Sequence, residues 1–111
     1  MSGFPEIEAT EAIARVASGA YLVDVREQDE WDRGHAPAAH LVPMSRLGEL
    51  IGEIPADREV LVVCHAGSRS ARVSSALAQA GHRPVNVLGG MLAWSASGGE
   101  LVAEGGREPA V

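Results

Sequence analysis

The chain has 111 residues, of which 46% are hydrophobic and 22% are charged, and its formal net charge is −6. This length and composition predict one soluble domain over residues 1–111 with a single core. The nine basic residues are scattered arginines, so the acidic balance argues against a nucleic-acid-binding face. No apolar run approaches the roughly 20 residues that cross a bilayer, and the acidic amino terminus lacks the order of a secretory signal. We expect a cytoplasmic protein that binds neither nucleic acid nor membrane.

The sequence contains one cysteine, Cys64. A disulfide within the chain is therefore impossible, and the domain must rely on its hydrophobic core. Cysteine-based zinc sites need several thiolates, and a Cys-x-x-Cys redox pair is also absent. We expect no metal and no cofactor, and whatever Cys64 does requires no second thiol from this sequence.

In chain order, short apolar runs alternate with segments of helical periodicity. Strands are predicted at 20–25, 41–43, 59–63 and 85–88, and helices at 11–18, 29–32, 45–54, 68–81 and 89–99. Thr10 and Ser45 are expected to cap the first and third helices. Gly19 and Gly81 are expected to end two helices in the left-handed conformation. The last residues, 104–111, are predicted to form a flexible tail.

Buried strands that alternate with helices are typical of an α/β domain, in which a mainly parallel central sheet is flanked by helices on both faces. In such folds ligands bind outside the carboxyl ends of the strands. Cys64 directly follows the strand predicted at 59–63, so it is expected at such an end.

The loop that follows this strand reads Cys-His-Ala-Gly-Ser-Arg. Ala66 is small and Gly67 can adopt positive φ, so the N–H groups of the loop can turn inward at a helix N-terminus, where anions bind. This setting stabilises a thiolate over a thiol, and Arg69 adds a permanent positive charge. A lone cysteine in a small protein is usually just a buried apolar residue. The position of Cys64 instead favours a nucleophile that attacks an anionic substrate.

Four segments resemble the single-domain rhodaneses of the thiosulfate sulfurtransferase superfamily. Residues 64–70, CHAGSRS, are similar to the Cys-x-x-Gly-x-Arg-Ser loop of that family, and LVDVRE at 22–27 is similar to its strand that ends in Asp-Val-Arg. EWDRGHAPAAHLVP at 30–43 and GGMLAW at 89–94 match two further family blocks in the same order. The resemblance covers about residues 5–103 and implies a three-layer rhodanese-like domain.

The resemblance implies a ping-pong sulfurtransferase without a cofactor. Cys64 would take a sulfane sulfur from a donor such as thiosulfate and hold it as a persulfide. An acceptor, such as cyanide, a thiol or a sulfur-accepting protein, would then remove it. The loop residues would bind the donor and stabilise the persulfide through their N–H groups, with Arg69 contacting the oxyanions of the donor; these residues are His65, Ala66, Gly67, Ser68 and Arg69.

Three further residues are expected to support the site from the neighbouring strand and the loop after it. By resemblance, Asp24 and Arg26 tie the loops together, and Glu30 is expected to pair with Arg26. For His65, which follows the nucleophile, we favour the role of an exposed bystander, because successive residues of an extended turn point apart.

Two other functions remain open on the sequence. Rhodanese-like domains also occur as non-catalytic interaction or persulfide-sensing modules, although the intact cysteine loop argues against this reading. Phosphatases and arsenate reductases share the fold. Four residues separate Cys64 from Arg69 here, whereas tyrosine phosphatases have five, and this smaller ring favours a single sulfur atom over a tetrahedral phosphate.

Overall fold

The computed structural model describes residues 3–111. The strands are β1 (Glu6–Ile7), β2 (Tyr21–Asp24), β3 (Ala39–Leu41), β4 (Glu59–Val63) and β5 (Arg83–Val87). The α-helices are α1 (Ala9–Ala17), α2 (Gln28–Arg33), α3 (Leu47–Leu50), α4 (Ser68–Gln79) and α5 (Gly90–Ala96). Short 3-10 helices cover Met44–Arg46, Ile51–Glu53 and Glu104–Gly106. None of these helices has the length and apolar character needed to cross a membrane.

The five strands form one sheet in the order β1-β5-β4-β2-β3, and every neighbouring pair is parallel. The structure therefore confirms the predicted α/β fold with a parallel central sheet. β4 is the central strand, with β5 on one side and β2 on the other. From β4 the chain runs through α4 to β5, whereas from β2 it runs through α2 to β3, which lies on the side of β2 away from β4. The carboxyl ends of β2 and β4 thus flank a crevice of the kind in which open α/β sheets bind ligands.

Successive residues of β4 point to opposite faces of the sheet and are buried on both. Leu61 and Val63 belong to one apolar cluster, which also contains Trp94 of α5. Val60 and Val62 belong to the other cluster, which contains Leu77 of α4 and is covered further by α3. A continuous apolar run is what a strand buried on both faces requires, and this explains why the sequence predicts β4 with the bounds that the structure shows.

Several predicted boundaries and caps differ from the structure. Thr10 lies inside α1, whose N-cap is Glu8 without a side-chain capping bond. The helix predicted at 45–54 is a short α3 between two 3-10 turns. The Ser45 hydroxyl does not cap it but donates to the Glu27 carboxylate at 2.6 Å. β1 was not predicted, because a strand of two residues carries no periodicity signal.

Two turns at the amino ends of the strands adopt the expected left-handed conformation. Gly19 precedes β2 with φ +101°, and Gly81 precedes β5 with φ +89°. No heavy atom lies within 4 Å of a Cβ built on either residue. There is therefore room for a Cβ at both turns, which lie at the sheet edge opposite Cys64, and the Gly19 carbonyl accepts a hydrogen bond from Arg58 at 2.9 Å.

The last residues of the chain pack against the domain beside α2. The Ala110 N–H donates to the Arg33 carbonyl at 2.9 Å, and Val111 packs against the cluster that contains Trp94. A Cβ on Gly34 would lie 2.3 Å from the Ala110 carbonyl oxygen. The absence of a side chain at Gly34 therefore allows this contact, while the flexibility predicted for 104–111 stays a prediction.

Replacing Gly34 with alanine is expected to detach the end of the chain, because the new methyl group occupies the place of the Ala110 carbonyl. Hydrogen exchange at the Ala110 amide should become faster in Gly34→Ala than in the unmodified protein. Gly48→Ala is the matched control, since no atom lies within 4 Å of its Cβ. Unchanged exchange at Ala110 in Gly34→Ala would contradict the contact.

Candidate active site

Cys64 lies at the carboxyl end of the central strand, as the sequence predicts. Its side chain is 1% exposed and packs in the apolar cluster with Val73 and Leu77 of α4. Burial of this kind is what a purely structural cysteine would show. The polar contacts of its sulfur atom, however, come from the loop that begins α4.

The Gly67 N–H donates to the Cys64 Sγ across 3.0 Å. This contact requires the chain to reverse within three residues, and Gly67 achieves the reversal with φ +119°, a conformation that residues with a side chain rarely adopt. Ser68 and Arg69 follow as the first residues of α4, where N–H groups have no acceptor inside the helix. Convergence of the N–H groups of residues 66, 68 and 69 on a persulfide sulfur stays a prediction.

Ser70 is a site residue that the sequence analysis missed. Its hydroxyl is fully buried, lies 3.3 Å from the Cys64 Sγ and also lies 3.2 Å from the Gly67 carbonyl. The Cys64 thiol donates to the Ser70 hydroxyl, which itself donates to the Gly67 carbonyl. A hydroxyl can also donate to a thiolate, so Ser70 could bind the ionised sulfur if it turned away from that carbonyl. The signal was its place in the first turn of α4, three residues after Gly67.

The other side of the loop is held by the first turn of α5. The Met91 N–H donates to the Cys64 carbonyl at 2.7 Å, and the Leu92 N–H donates to the His65 carbonyl at 3.1 Å. A Cβ on Gly90 would lie 2.5 Å from both of these carbonyl oxygens. The glycine therefore permits the close approach of α5 that fixes the backbone of the cysteine loop.

Asp24 and Arg26 form a buried ion pair where β2 ends. Their side chains are 0% and 1% exposed, and an Arg26 terminal nitrogen lies 2.8 Å from the Asp24 Oδ2. The same nitrogen donates to the Gly34 carbonyl at 2.7 Å. Arg26 therefore joins the end of β2 to the residue that follows α2, which holds the loop between β2 and β3 against the sheet.

Glu30 pairs with Arg69 and not with Arg26, the partner that the sequence predicts. The Arg69 Nη1 and Nη2 atoms donate to the Glu30 Oε1 and Oε2 atoms at 2.7 and 2.8 Å. The expected pairing is wrong because Arg26 turns back onto Asp24 and Gly34. The guanidinium that we expected to meet a donor anion is thus engaged by a carboxylate from the opposite loop.

This ion pair changes the acidity of both partners. The hydrogen bonds from Arg69 are the largest cause that lowers the pKa of Glu30 to about 2, against a smaller raising effect of burial. The Glu30 hydrogen bond raises the pKa of Arg69 above its usual value. Glu30 also accepts the Glu27 N–H at 3.0 Å within the capping box of α2. Both groups therefore stay charged throughout the neutral pH range.

The remaining predicted loop residues are at least partly accessible to solvent. Ala66 and Ser68 are exposed, and His65 is half-buried. His65 lines a cavity of about 250 Å³ together with Arg26, Glu30 and Arg33. Within residues 3–111, no group of three or more histidine, cysteine or acidic side chains is arranged to hold a metal ion.

The sequence and the fold match known proteins. The model of the rhodanese-like domain family matches residues 8–97. A sulfurtransferase of Allochromatium vinosum is 36% identical over 104 residues, covering 91% of this chain and 97% of its own. Thiosulfate sulfurtransferase 18 of Arabidopsis thaliana is also 36% identical, covering 79% of this chain and 76% of its own. The crystal structure of a rhodanese-related protein of Thermoplasma volcanium superposes with a TM-score of 0.84 at 30% identity, covering 91% of this chain and all of that one.

Replacing Gly90 with alanine is expected to displace α5 from the cysteine loop. The positive φ of 59° alone costs about 1–2 kcal/mol for a residue with a side chain, and the clash with two carbonyl groups adds to this cost. Gly98→Ala is the matched control, since its φ is also positive but its surroundings are open. Urea unfolding should show a larger loss of stability for Gly90→Ala, and equal losses would contradict the proposed close approach.

Acid titration tests the Glu30–Arg69 pair. Since folding lowers the pKa of Glu30 from 4.5 to about 2, the stabilisation by its carboxylate is present above pH 4.5 and is lost as the pH falls toward 2. Glu30→Gln should therefore flatten the dependence of the urea midpoint on pH in this window. Glu49→Gln, which removes an exposed carboxylate paired with Arg46, should have a smaller effect. Equal effects of the two substitutions would argue against a stabilising pair.

Proposed function

Because this chain belongs to the rhodanese-like domain family, we propose that it is a sulfurtransferase that carries a sulfane sulfur as a persulfide on Cys64. The observation that supports this most directly is the contact of 3.0 Å between the Gly67 N–H and the Cys64 Sγ at the start of α4. A backbone N–H and the N-terminus of a helix both favour negative charge on the sulfur. Relatives with sequence identities of 36% that are named sulfurtransferases support the same reaction class.

In the first half of the proposed reaction, the Cys64 thiolate attacks the outer sulfur of the donor. With thiosulfate, a bond forms between the Cys64 Sγ and this sulfur, the sulfur–sulfur bond of thiosulfate breaks, and sulfite leaves with the bonding electron pair. The persulfide anion stays on the protein. The step as written starts from the thiolate form of Cys64, so it contains no proton transfer to a general base.

The persulfide places its terminal sulfur one bond farther into the loop. There we expect the N–H groups that begin α4 to act as donors. The Ser70 hydroxyl accepts from the Cys64 thiol and donates to the Gly67 carbonyl, so it would have to turn away from that carbonyl to donate to the sulfur. The backbone N–H groups of the helix are fixed before the reaction, which is the arrangement that stabilises developing negative charge.

In the second half, a nucleophilic acceptor attacks the terminal sulfur and the Cys64 thiolate is regenerated. A cyanide ion would leave as thiocyanate, and a thiol would leave as a persulfide. His65 is half-buried and Ala66 and Ser68 are exposed, so we expect a small thiol or the reactive group of a sulfur-accepting protein to approach Cys64 beside these residues. The cytoplasmic location expected from the sequence stays a prediction.

Intact-mass measurement tests the covalent intermediate. After incubation with excess thiosulfate and no acceptor, the protein should gain one sulfur atom, and cyanide should remove it. Cys64→Ser should gain none, because a hydroxyl at this position does not form a persulfide.

Circular dichroism of Cys64→Ser provides the control, since the spectrum should match that of the unmodified protein. A sulfur adduct that persists in the folded Cys64→Ser variant would exclude the mechanism. An unmodified protein that gains no sulfur from either thiosulfate or a thiol persulfide would leave Cys64 without the proposed role.

A further inference from the structure

The ion pair at the entrance of the site bears on which donor the protein accepts. Both terminal nitrogens of Arg69 already donate to both carboxylate oxygens of Glu30. This two-point contact is the arrangement by which a guanidinium recognises carboxylates, phosphates and similar oxyanions. The sulfonate-like end of thiosulfate would have to compete with Glu30 for this Nη1–Nη2 edge of the guanidinium.

We propose that Glu30 is a specificity-determining residue, which occupies the Nη1–Nη2 edge of Arg69 and so selects thiol persulfides over thiosulfate as the sulfur donor. The proposal rests on the proposed sulfur transfer through Cys64. Glu30 acts through Arg69 and takes no part in the bond changes.

The partial burial of the pair strengthens its effect. The side chains of Arg69 and Glu30 are 27% and 20% exposed, so water only partly screens their charges. Glu30 is also held by the Glu27 N–H, which fixes the carboxylate on the first turn of α2. An anionic donor that approaches Arg69 therefore encounters an ion pair without net charge. The carboxylate of Glu30 in that pair is held in place by its hydrogen bonds.

The other cations at the entrance do not replace Arg69. Arg26 is fully buried and donates to Asp24 and to the Gly34 carbonyl. Arg33 lines the cavity, but its side chain is 56% exposed and lies 3.7 Å from the carboxylate of Asp29. An exposed ion of this kind contributes little to affinity.

A thiol persulfide differs from thiosulfate in the contacts that it requires from the site. The Cys64 thiolate attacks the outer sulfur of R–S–SH, a new sulfur–sulfur bond forms, and the old one breaks. The thiolate R–S⁻ leaves with the electron pair, and the Cys64 persulfide carries the proton. This donor has no oxyanion on its leaving group, so the Glu30–Arg69 pair remains intact throughout the step.

The experiment measures the second-order rate constant for formation of the Cys64 persulfide, by quenching and intact mass, with two donors. The donors are thiosulfate and mercaptoethanol persulfide, whose thiol carries no charged group. In Glu30→Gln the constant for thiosulfate should rise about fivefold, because a neutral amide holds the guanidinium more weakly than a carboxylate does. The constant for the thiol persulfide should change by less than about twofold. Glutamine keeps the capping box of α2, since its amide oxygen also accepts an N–H.

Asp32→Asn is the matched control, because it removes one negative charge from the same helix. Asp32 accepts a hydrogen bond from the Gln28 amide at 2.8 Å, so its loss frees no arginine. This variant should change the two rate constants by the same factor. Sulfate provides a second readout, since it should inhibit the thiosulfate reaction more strongly in Glu30→Gln than in the unmodified protein.

The proposal is overturned if the ratio of the two rate constants in Glu30→Gln stays within about twofold of that in the unmodified protein, or if Asp32→Asn shifts the ratio equally. Should Glu30→Gln not fold, Glu30→Asp takes its place. Its shorter carboxylate withdraws from Arg69, and an unchanged ratio would overturn the proposal in the same way. Absence of any Cys64 persulfide in the unmodified protein with both donors would instead refute the proposed function itself.

Discussion

The buried ion pair between Asp24 and Arg26 determines where the rest of the site lies. A charge without access to water must be paired, so these side chains, with exposures of 0% and 1%, have few alternative positions. Because Arg26 also binds the Gly34 carbonyl, the pair fixes the end of α2. Glu30 lies on that helix, so the position of the Asp24–Arg26 pair also fixes the position of Glu30 beside the cysteine loop.

The cysteine loop is therefore held from two sides by different kinds of contact. On one side, Glu30 binds the side chain of Arg69. On the other, N–H groups of α5 bind the carbonyls of Cys64 and His65. The first contact is an ion pair between two side chains, whereas the second is a backbone contact that few side-chain substitutions reach. The loop thus combines a fixed backbone with one side-chain contact that depends on charge.

The sequence was sufficient to predict the parts that depend on local patterns. The apolar run at 59–63 predicts a strand buried on both faces, and Gly67 predicts the sharp turn that brings an N–H to Cys64. The partner of Glu30 could not be predicted, because Arg26 and Arg69 are both plausible until the order of the strands is known. The sheet places β2 directly beside β4, and only this neighbourhood brings Glu30 to Arg69. Ser45 was misassigned for a similar reason, since a carboxylate distant in sequence competes for its hydroxyl.

In the parallel sheet, the carboxyl ends of the strands lie at one edge, where the proposed chemistry takes place. The amino ends lie at the opposite edge, which the proposed chemistry does not use. Every strand ends at the edge where Asp24 and Cys64 lie, so the turns at Gly19 and Gly81 lie on the opposite side, where a Cβ on either glycine would meet no other atom. Extra residues in surface turns cost little chain entropy and are tolerated where the backbone is exposed. A fluorescent label or a tethering sequence inserted at either turn would report on the domain or immobilise it without approaching the sulfur.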